Sequence, residues 1–243
     1  AGSWCIGLSD PSRLALRATQ GLNLEQLFAH ELPALLFKLA QDLSLPLWGT
    51  CAGFEIFAIL AAAGNTSVIS TNAFDSVDYM ANLKVTAKGS RVFAAMPPAV
   101  QNTFLSGNAT LNSHNDGIWP ATIRENTQLS SFFLQVATSV DRKHKEFVAL
   151  MEAHEYPIFA SQFHPEKSLA EFAENPNDPH SDAEVAANQW LARFFVGEAR
   201  KSTQGFKSQA AEQAALIYNY APRFVAKGAS WPQNESMEQV YFL

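Results

Sequence analysis

Leu22, Leu24, Leu27, Phe28, Leu32, Leu35, Leu36 and Leu39 recur at three-to-four spacing, the period of one helix face. They predict an amphipathic helix from about Asn23 to Asp42, with Pro33 as its weak point. A short apolar run, Leu45 to Trp48, follows and ends in Gly49-Thr50-Cys51-Ala52-Gly53, after which the apolar stretch Phe54 to Ala63 begins. That order reads as strand, sharp turn, helix. Glycines on both sides of Cys51 suit such a turn, because neither places a Cβ where the backbone folds on itself.

Beyond this unit, extended runs alternate with turn residues. Thr66 to Ser70, Leu83 to Ala87, Ser106 to Leu111, Ser131 to Val140, Phe147 to Glu152 and Pro157 to Gln162 are predicted strands. The charged segment Asp141 to Lys145 lies between two of them and reads as a solvated hairpin tip. From Glu184 to Lys201, Val185, Ala186, Trp190, Leu191, Phe194 and Phe195 mark one helix face. Asp182 and Glu184 near its start and Arg200 and Lys201 at its end match the helix dipole. No internal repeat or low-complexity segment interrupts the pattern.

Composition narrows the class of protein. The chain has 243 residues, 47% apolar and 16% charged, which excludes general disorder and allows a sizeable core. No stretch looks like a linker, so a single domain over residues 1–243 is expected. Lys and Arg total 17 against 23 for Asp and Glu, a net charge of −6, which leaves no cationic surplus for nucleic acid. The longest apolar runs, Leu32 to Leu39 and Phe54 to Ala63, fall short of the roughly 20 residues of a membrane-spanning helix. Two cysteines make neither a disulfide framework nor a structural zinc site. Residue 1 is Ala, with no basic start followed by an apolar run, which suggests a processed or truncated product.

Candidate chemistry gathers at two places. Cys51 sits at the apex of its turn, with the N-terminus of the next helix aimed at the sulfur, a placement that stabilises thiolate. Cys5 has no such frame and reads as a small buried hydrophobe. The second place is Phe163-His164-Pro165-Glu166-Lys167, directly after a predicted strand. If a parallel sheet brings the strand ends together, His164 would take the Cys51 proton and return it to a leaving nitrogen. Glu166 would hold the imidazole in the right tautomer.

Leu47-Trp48-Gly49-Thr50-Cys51-Ala52-Gly53-Phe54-Glu55 and Gln162-Phe163-His164-Pro165-Glu166-Lys167 resemble the two signatures of class I glutamine amidotransferases, whose triad is Cys, His and Glu. Within that family the chain is most similar to the gamma-glutamyl hydrolases. Leu111-Asn112-Ser113-His114, Phe194 to Lys201 and the tail segments Ala215 to Tyr220 and Val240 to Phe242 carry this closer likeness. The resemblance implies an α/β fold, a flavodoxin-like sandwich with a mostly parallel sheet. It also implies Cys51, His164 and Glu166 as catalytic residues, and Ala52 as an oxyanion donor through its backbone N–H. His114 aligns with a histidine lining the substrate cleft, the alternative being a plain loop histidine. Glu55, one turn after Cys51, could receive the α-ammonium of a bound glutamyl group or simply face solvent. Lys167 is the nearest identifiable cation for substrate carboxylates.

Members of the family open with a strand-helix-strand section ending in a Pro-Gly-Gly loop, and residues 1–44 contain no such loop. The first strands are therefore expected to be absent, together with a second oxyanion donor whose loss costs about 2.7–4 kcal/mol of transition-state stabilisation. The implied activity is hydrolysis of γ-glutamyl bonds in folate and antifolate poly-γ-glutamates, through a γ-glutamyl thioester and without metal or organic cofactor. The implied partner is that small-molecule substrate, with neither nucleic acid nor membrane, and a homodimer is compatible with it. Two other readings stand beside it: the glutaminase part of an ammonia-supplying amidotransferase, and an inactive fragment of the hydrolase. The resemblance implies a lysosomal, vacuolar or secreted protein, to which the sequons at Asn65, Asn108 and Asn234 add weak support.

Overall fold

The computed structural model describes residues 32–170, 180–224 and 239–240. Cys5, Asn234 and residues 23–31 of the predicted first helix lie outside the described residues, as do Tyr241 and Phe242. Of the described residues, 32–170 and 180–203 belong to one compact unit, and 204–224 with 239–240 to a second.

In the larger unit the helix α1 (Leu32–Asp42) leads to β1 (Leu47–Thr50) and α2 (Ala52–Ala61). A 3₁₀ turn (Thr66–Val68), β2 (Ser76–Ala81), β3 (Lys84–Val85), α3 (Arg91–Ala95), α4 (Pro98–Ser106) and β4 (Thr110–His114) follow. Then come α5 (Pro120–Glu125), α6 (Thr127–Phe132), β5 (Phe133–Val140), β6 (Glu146–Ala153), β7 (Ile158–Ser161), α7 (Lys167–Ala170) and α8 (Asp182–Ala199). The smaller unit holds α9 (Gln209–Ala214), a 3₁₀ turn (Ile217–Asn219) and the paired strands β8 (Arg223–Phe224) and β9 (Gln239–Val240).

The sheet runs in the order β1-β7-β6-β5-β3. Its parallel pair among the described residues is β1 with β7, where Leu47 faces Ile158 and Thr50 faces Ser161. The β7–β6, β6–β5 and β5–β3 pairs are antiparallel, so the described sheet is mixed and its parallel part carries the Cys51 strand. Successive residues of a strand point to opposite faces. Thus Met151 and Ala153 of β6 and Ile158 and Ala160 of β7 join a core with Phe37, Phe54 and Phe57, the alternation of β6 slipping once where its register with β5 shifts. Phe147, Ala149 and Phe159 join a second core with Phe104, Phe163 and Leu191. A sheet buried on both faces explains why β6 and β7 are nearly continuous apolar runs rather than alternating ones. Helices flank both faces, and the architecture is the expected α/β sandwich.

Three expectations are corrected. Thr66 to Ser70 opens with a 3₁₀ turn rather than a strand, because the Asn65 side chain accepts from both the Ser67 N–H (3.0 Å) and the Ser67 hydroxyl (2.7 Å). Such a side-chain bond offers the backbone an alternative to a ladder. The strand placed at Ser106 to Leu111 is shifted to Thr110–His114, since α4 continues through Ser106. The hairpin tip is solvated except at Asp141, which is buried and accepts the backbone N–H groups of Asp75, Lys143 and Lys145 at 2.8–2.9 Å.

Candidate active site

The site grows from the join between β1 and α2. The Cys51 N–H donates to the Ser161 carbonyl at 2.9 Å, extending the parallel ladder by one residue beyond the strand. The chain then turns abruptly, with Cys51 itself at φ 52° and ψ −108°. The residue that bears the unusual dihedral is therefore the cysteine, not either neighbouring glycine. Gly49 serves differently. A Cβ there would lie 2.7 Å from both the Gly53 carbonyl oxygen and the Phe57 ring, so its hydrogen lets the strand approach the helix. Ala52 begins α2, and its N–H belongs to the first turn, which has no intrahelical acceptor.

On the neighbouring strand, Trp48 Nε1 donates to the Ser161 hydroxyl at 3.2 Å, tying β1 to β7 through side chains as well. Three residues beyond β7, the His164 N–H donates to the Leu111 carbonyl of β4 at 2.8 Å, which fixes where the imidazole stands. His164 Nδ1 lies 2.6 Å from Glu166 Oε1. The Cys51 side chain stands close enough to act on the ring and favour its charged form, and with Nδ1 engaged by Glu166, Nε2 is the nitrogen left to exchange a proton with the sulfur. The three residues singled out from the two motifs thus meet in the order Cys51, His164, Glu166.

Electrostatics follow from the contacts. Burial alone would lower the His164 pKa, but the bonds and charges of Cys51 and Glu166 outweigh it and raise the value to about 9. Glu166 loses solvation as well, yet its bond to His164 and the charges of His164 and Lys167 hold it below the usual carboxylate range. Imidazolium and carboxylate are therefore the resting forms near neutrality. Lys167 begins α7 beside Glu166 and acts on the carboxylate through its charge.

His114 ends β4 and is only 5% exposed. Its Nδ1 is 2.7 Å from the Asp116 carbonyl, and its Nε2 is 3.3 Å from the Asn112 side-chain oxygen. Phe147 meets the ring edge-on at 4.8 Å. Burial lowers its pKa to about 4, the Asp116 carbonyl pulling the other way and the His164 charge adding to the fall. His114 thus stands near enough to His164 to feel its charge, but both its nitrogens face the protein.

Glu55 lies one turn past Cys51 on α2, partly exposed. Burial raises its pKa, a bond from Gln162 lowers it, and the charge of Asp116 raises it again. Gln162 and Asp116 are the site neighbours that sequence reasoning missed. Gln162 was visible only as part of the histidine motif, and its Nε2 donates to Glu55 Oε1 at 3.0 Å across 107 positions of chain. Asp116 lay in a loop that gave no signal. Among the described residues no group of three or more His, Cys, Asp or Glu side chains is arranged to hold a metal ion, and no helix is long and apolar enough to cross a membrane.

Residues 28–178 match the family model for class I glutamine amidotransferases. The chain is similar to gamma-glutamyl hydrolase B of Dictyostelium discoideum, with 34% identity over 196 residues, 81% of this chain and 54% of that protein. It is also similar to the gamma-glutamyl hydrolases of Rattus norvegicus (32% over 188 residues, 77% and 58%) and Homo sapiens (34% over 190 residues, 77% and 58%). The chain therefore spans little more than half the length of the curated relatives it matches. The family match covers most of the chain and includes both motifs that meet at the site: the chain belongs to the class I glutamine amidotransferase family.

Proposed function

We propose that the chain is a cysteine hydrolase of γ-glutamyl amide bonds, with folate and antifolate poly-γ-glutamates as its substrate class. The observation that carries this reading is the His164 ring held between Glu166 and Cys51. The Cys51 sulfur attacks the γ-carbonyl carbon, and the carbonyl electrons move onto oxygen beside the Ala52 N–H. His164 then gives its proton to the leaving nitrogen as the C–N bond breaks, leaving a γ-glutamyl thioester. A water molecule attacks that thioester while His164 takes its proton, and the thiolate departs. Glu166 keeps the ring in place throughout and stabilises the imidazolium whenever it forms.

Substrate recognition in this reading is local. With a net charge of −6 the protein does not attract a polyanion through its overall field, so Lys167 and backbone N–H groups supply the cationic and donor surface for the α-carboxylates. His114 lines the cleft from behind as a neutral wall, its ring nitrogens turned to the protein. A lysosomal, vacuolar or secreted location goes with this proposal. Asn65 and Asn108 of the sequons are exposed. The expectation of a homodimer accompanies it and is read from the molar mass by light scattering.

The test feeds folate pentaglutamate, α-linked pentaglutamate and glutamine to the protein and follows released glutamate and ammonia. Cleavage of the γ-linked chain alone, lost in Cys51→Ala, is expected. Preference for glutamine with ammonia as product would move the assignment to an ammonia-supplying glutaminase. Failure to cleave any of them would make the chain an inactive hydrolase fragment.

A further inference from the structure

Gln162 is fully buried, yet one end of its amide has no partner. Its Nε2 donates to Glu55 Oε1 at 3.0 Å, while its own Oε1 is shut away from solvent with no hydrogen bond. A buried amide oxygen left unsatisfied is costly, and a Met or Leu of similar volume would fill the space without that cost. What the amide provides and an apolar side chain cannot is a hold on the Glu55 carboxylate. With Oε1 of Glu55 taken by Gln162, its Oε2 is the oxygen left to face a ligand.

Glu55 stands one helical turn from Cys51, and the Glu55 N–H donates to the Cys51 carbonyl at 3.1 Å. One turn of α-helix rises about 5.4 Å. In a glutamyl residue four bonds separate the γ-carbonyl carbon from the α-nitrogen, an extended span of about 5 Å. The backbone positions that carry the sulfur and the carboxylate are thus about as far apart along the helix axis as the two groups they would engage. Asp116 acts on Glu55 through its charge, which adds to the demand for a donor at this point.

We propose that Gln162 is a positioning residue that pins Glu55 so that its free oxygen accepts a hydrogen bond from the α-nitrogen of the bound glutamyl residue. The inference rests on the γ-glutamyl reading of the site and says which atom of the substrate the site reads. The donor is an amide N–H where the glutamyl residue is N-acylated, as within a chain, and an ammonium where its amine is free. A ligand lacking the nitrogen altogether leaves Glu55 unanswered.

Protection of Cys51 from iodoacetamide, followed by mass spectrometry, measures binding without requiring turnover. L-glutamate, N-acetyl-L-glutamate and glutarate differ only at the α-nitrogen. Each half-protecting concentration is compared within one variant, which removes differences in thiol reactivity. In the wild type the two nitrogen-bearing ligands are expected to protect at concentrations about tenfold below that of glutarate, the size of one hydrogen bond to a charged group. Gln162→Met should bring the three within about twofold of one another, and Glu55→Ala, at a partly exposed position, should do the same if the Met variant fails to fold. Glutamate gaining over N-acetylglutamate identifies the ammonium as the better donor; equal protection by the two identifies the N–H alone as sufficient, and both support the assignment. Equal protection by all three in the wild type, no protection by any, or discrimination that survives in both variants overturns it. Anilide release from γ-glutamyl anilide, run in parallel, reports on the hydrolase reading. Its absence alongside the expected protection pattern would sink that reading and leave the role of Gln162 standing.

Discussion

His164 Nδ1 lies 2.6 Å from Glu166 Oε1, and the Cys51 side chain acts on the same ring. Because the neighbouring acceptors hold the imidazolium up to a pKa of about 9, its ring signals should titrate near that value in NMR spectra. Glu166→Gln should move the titration back toward the ordinary value of about 6.5. Activity should fall almost completely in His164→Asn and less in Glu166→Gln, since the carboxylate acts through the ring. A titration near 6.5 in the wild type would remove the ion pair from the resting state.

The two site histidines shape the pH dependence of stability in opposite ways. His164 is raised to about 9, so its contribution is complete below about 6.5 and is lost as pH rises through 9. His114 is lowered to about 4 by burial, so its contribution is present above about 6.5 and is lost as pH falls through 4. Glu166, held below the carboxylate range, adds a further loss at lower pH. Urea midpoints should accordingly peak near pH 6.5. His114→Asn should flatten the limb between pH 4 and 6.5, and a wild-type midpoint constant over that interval would contradict the buried neutral imidazole.

Two glycines should respond oppositely to alanine. At Gly49 the new methyl would lie 2.7 Å from the Gly53 carbonyl oxygen and the Phe57 ring, and a backbone atom cannot swing away. A loss of about 1–3 kcal/mol is expected, together with displacement of the Cys51 turn. At Gly197 in α8 a Cβ meets nothing within 4 Å, so alanine should stabilise by up to about 1 kcal/mol through helix propensity. Denaturant melts of the two variants check both signs at once.

Which parts of this arrangement could be read along the chain depended on how local their causes are. Cys51 in its Gly-x-Cys-x-Gly frame and His164 with Glu166 are defined by spacing within a few residues, and both were legible. So were β5, β6 and β7, whose apolar runs reflect burial on both faces. The strand β2 was not, because among the described residues Ser76–Ala81 pairs with β4 alone and its register slips between Ser76 and Tyr79, which breaks the alternation that announces a strand. The 3₁₀ turn at Thr66 depends on the Asn65 side chain, which accepts both the N–H and the hydroxyl of Ser67. Gln162 and Glu55 meet across the fold, and no pattern in one sequence reports a hydrogen bond between residues 107 apart. The motifs suggested that Cys51 and His164 meet; only the β1/β7 register shows how.

The positive φ of Cys51 separates what the fold prefers from what the chemistry requires. A side chain at φ 52° and ψ −108° costs on the order of 1–3 kcal/mol that glycine would not incur. Cys51→Gly should therefore melt later than both Cys51→Ala and the wild type, while losing the nucleophile entirely. At this position the most stable residue and the useful one are different residues. A chain selected for stability alone would drift to glycine here, and one that keeps a β-carbon at the apex gives up that stability for a sulfur at the tip of the turn.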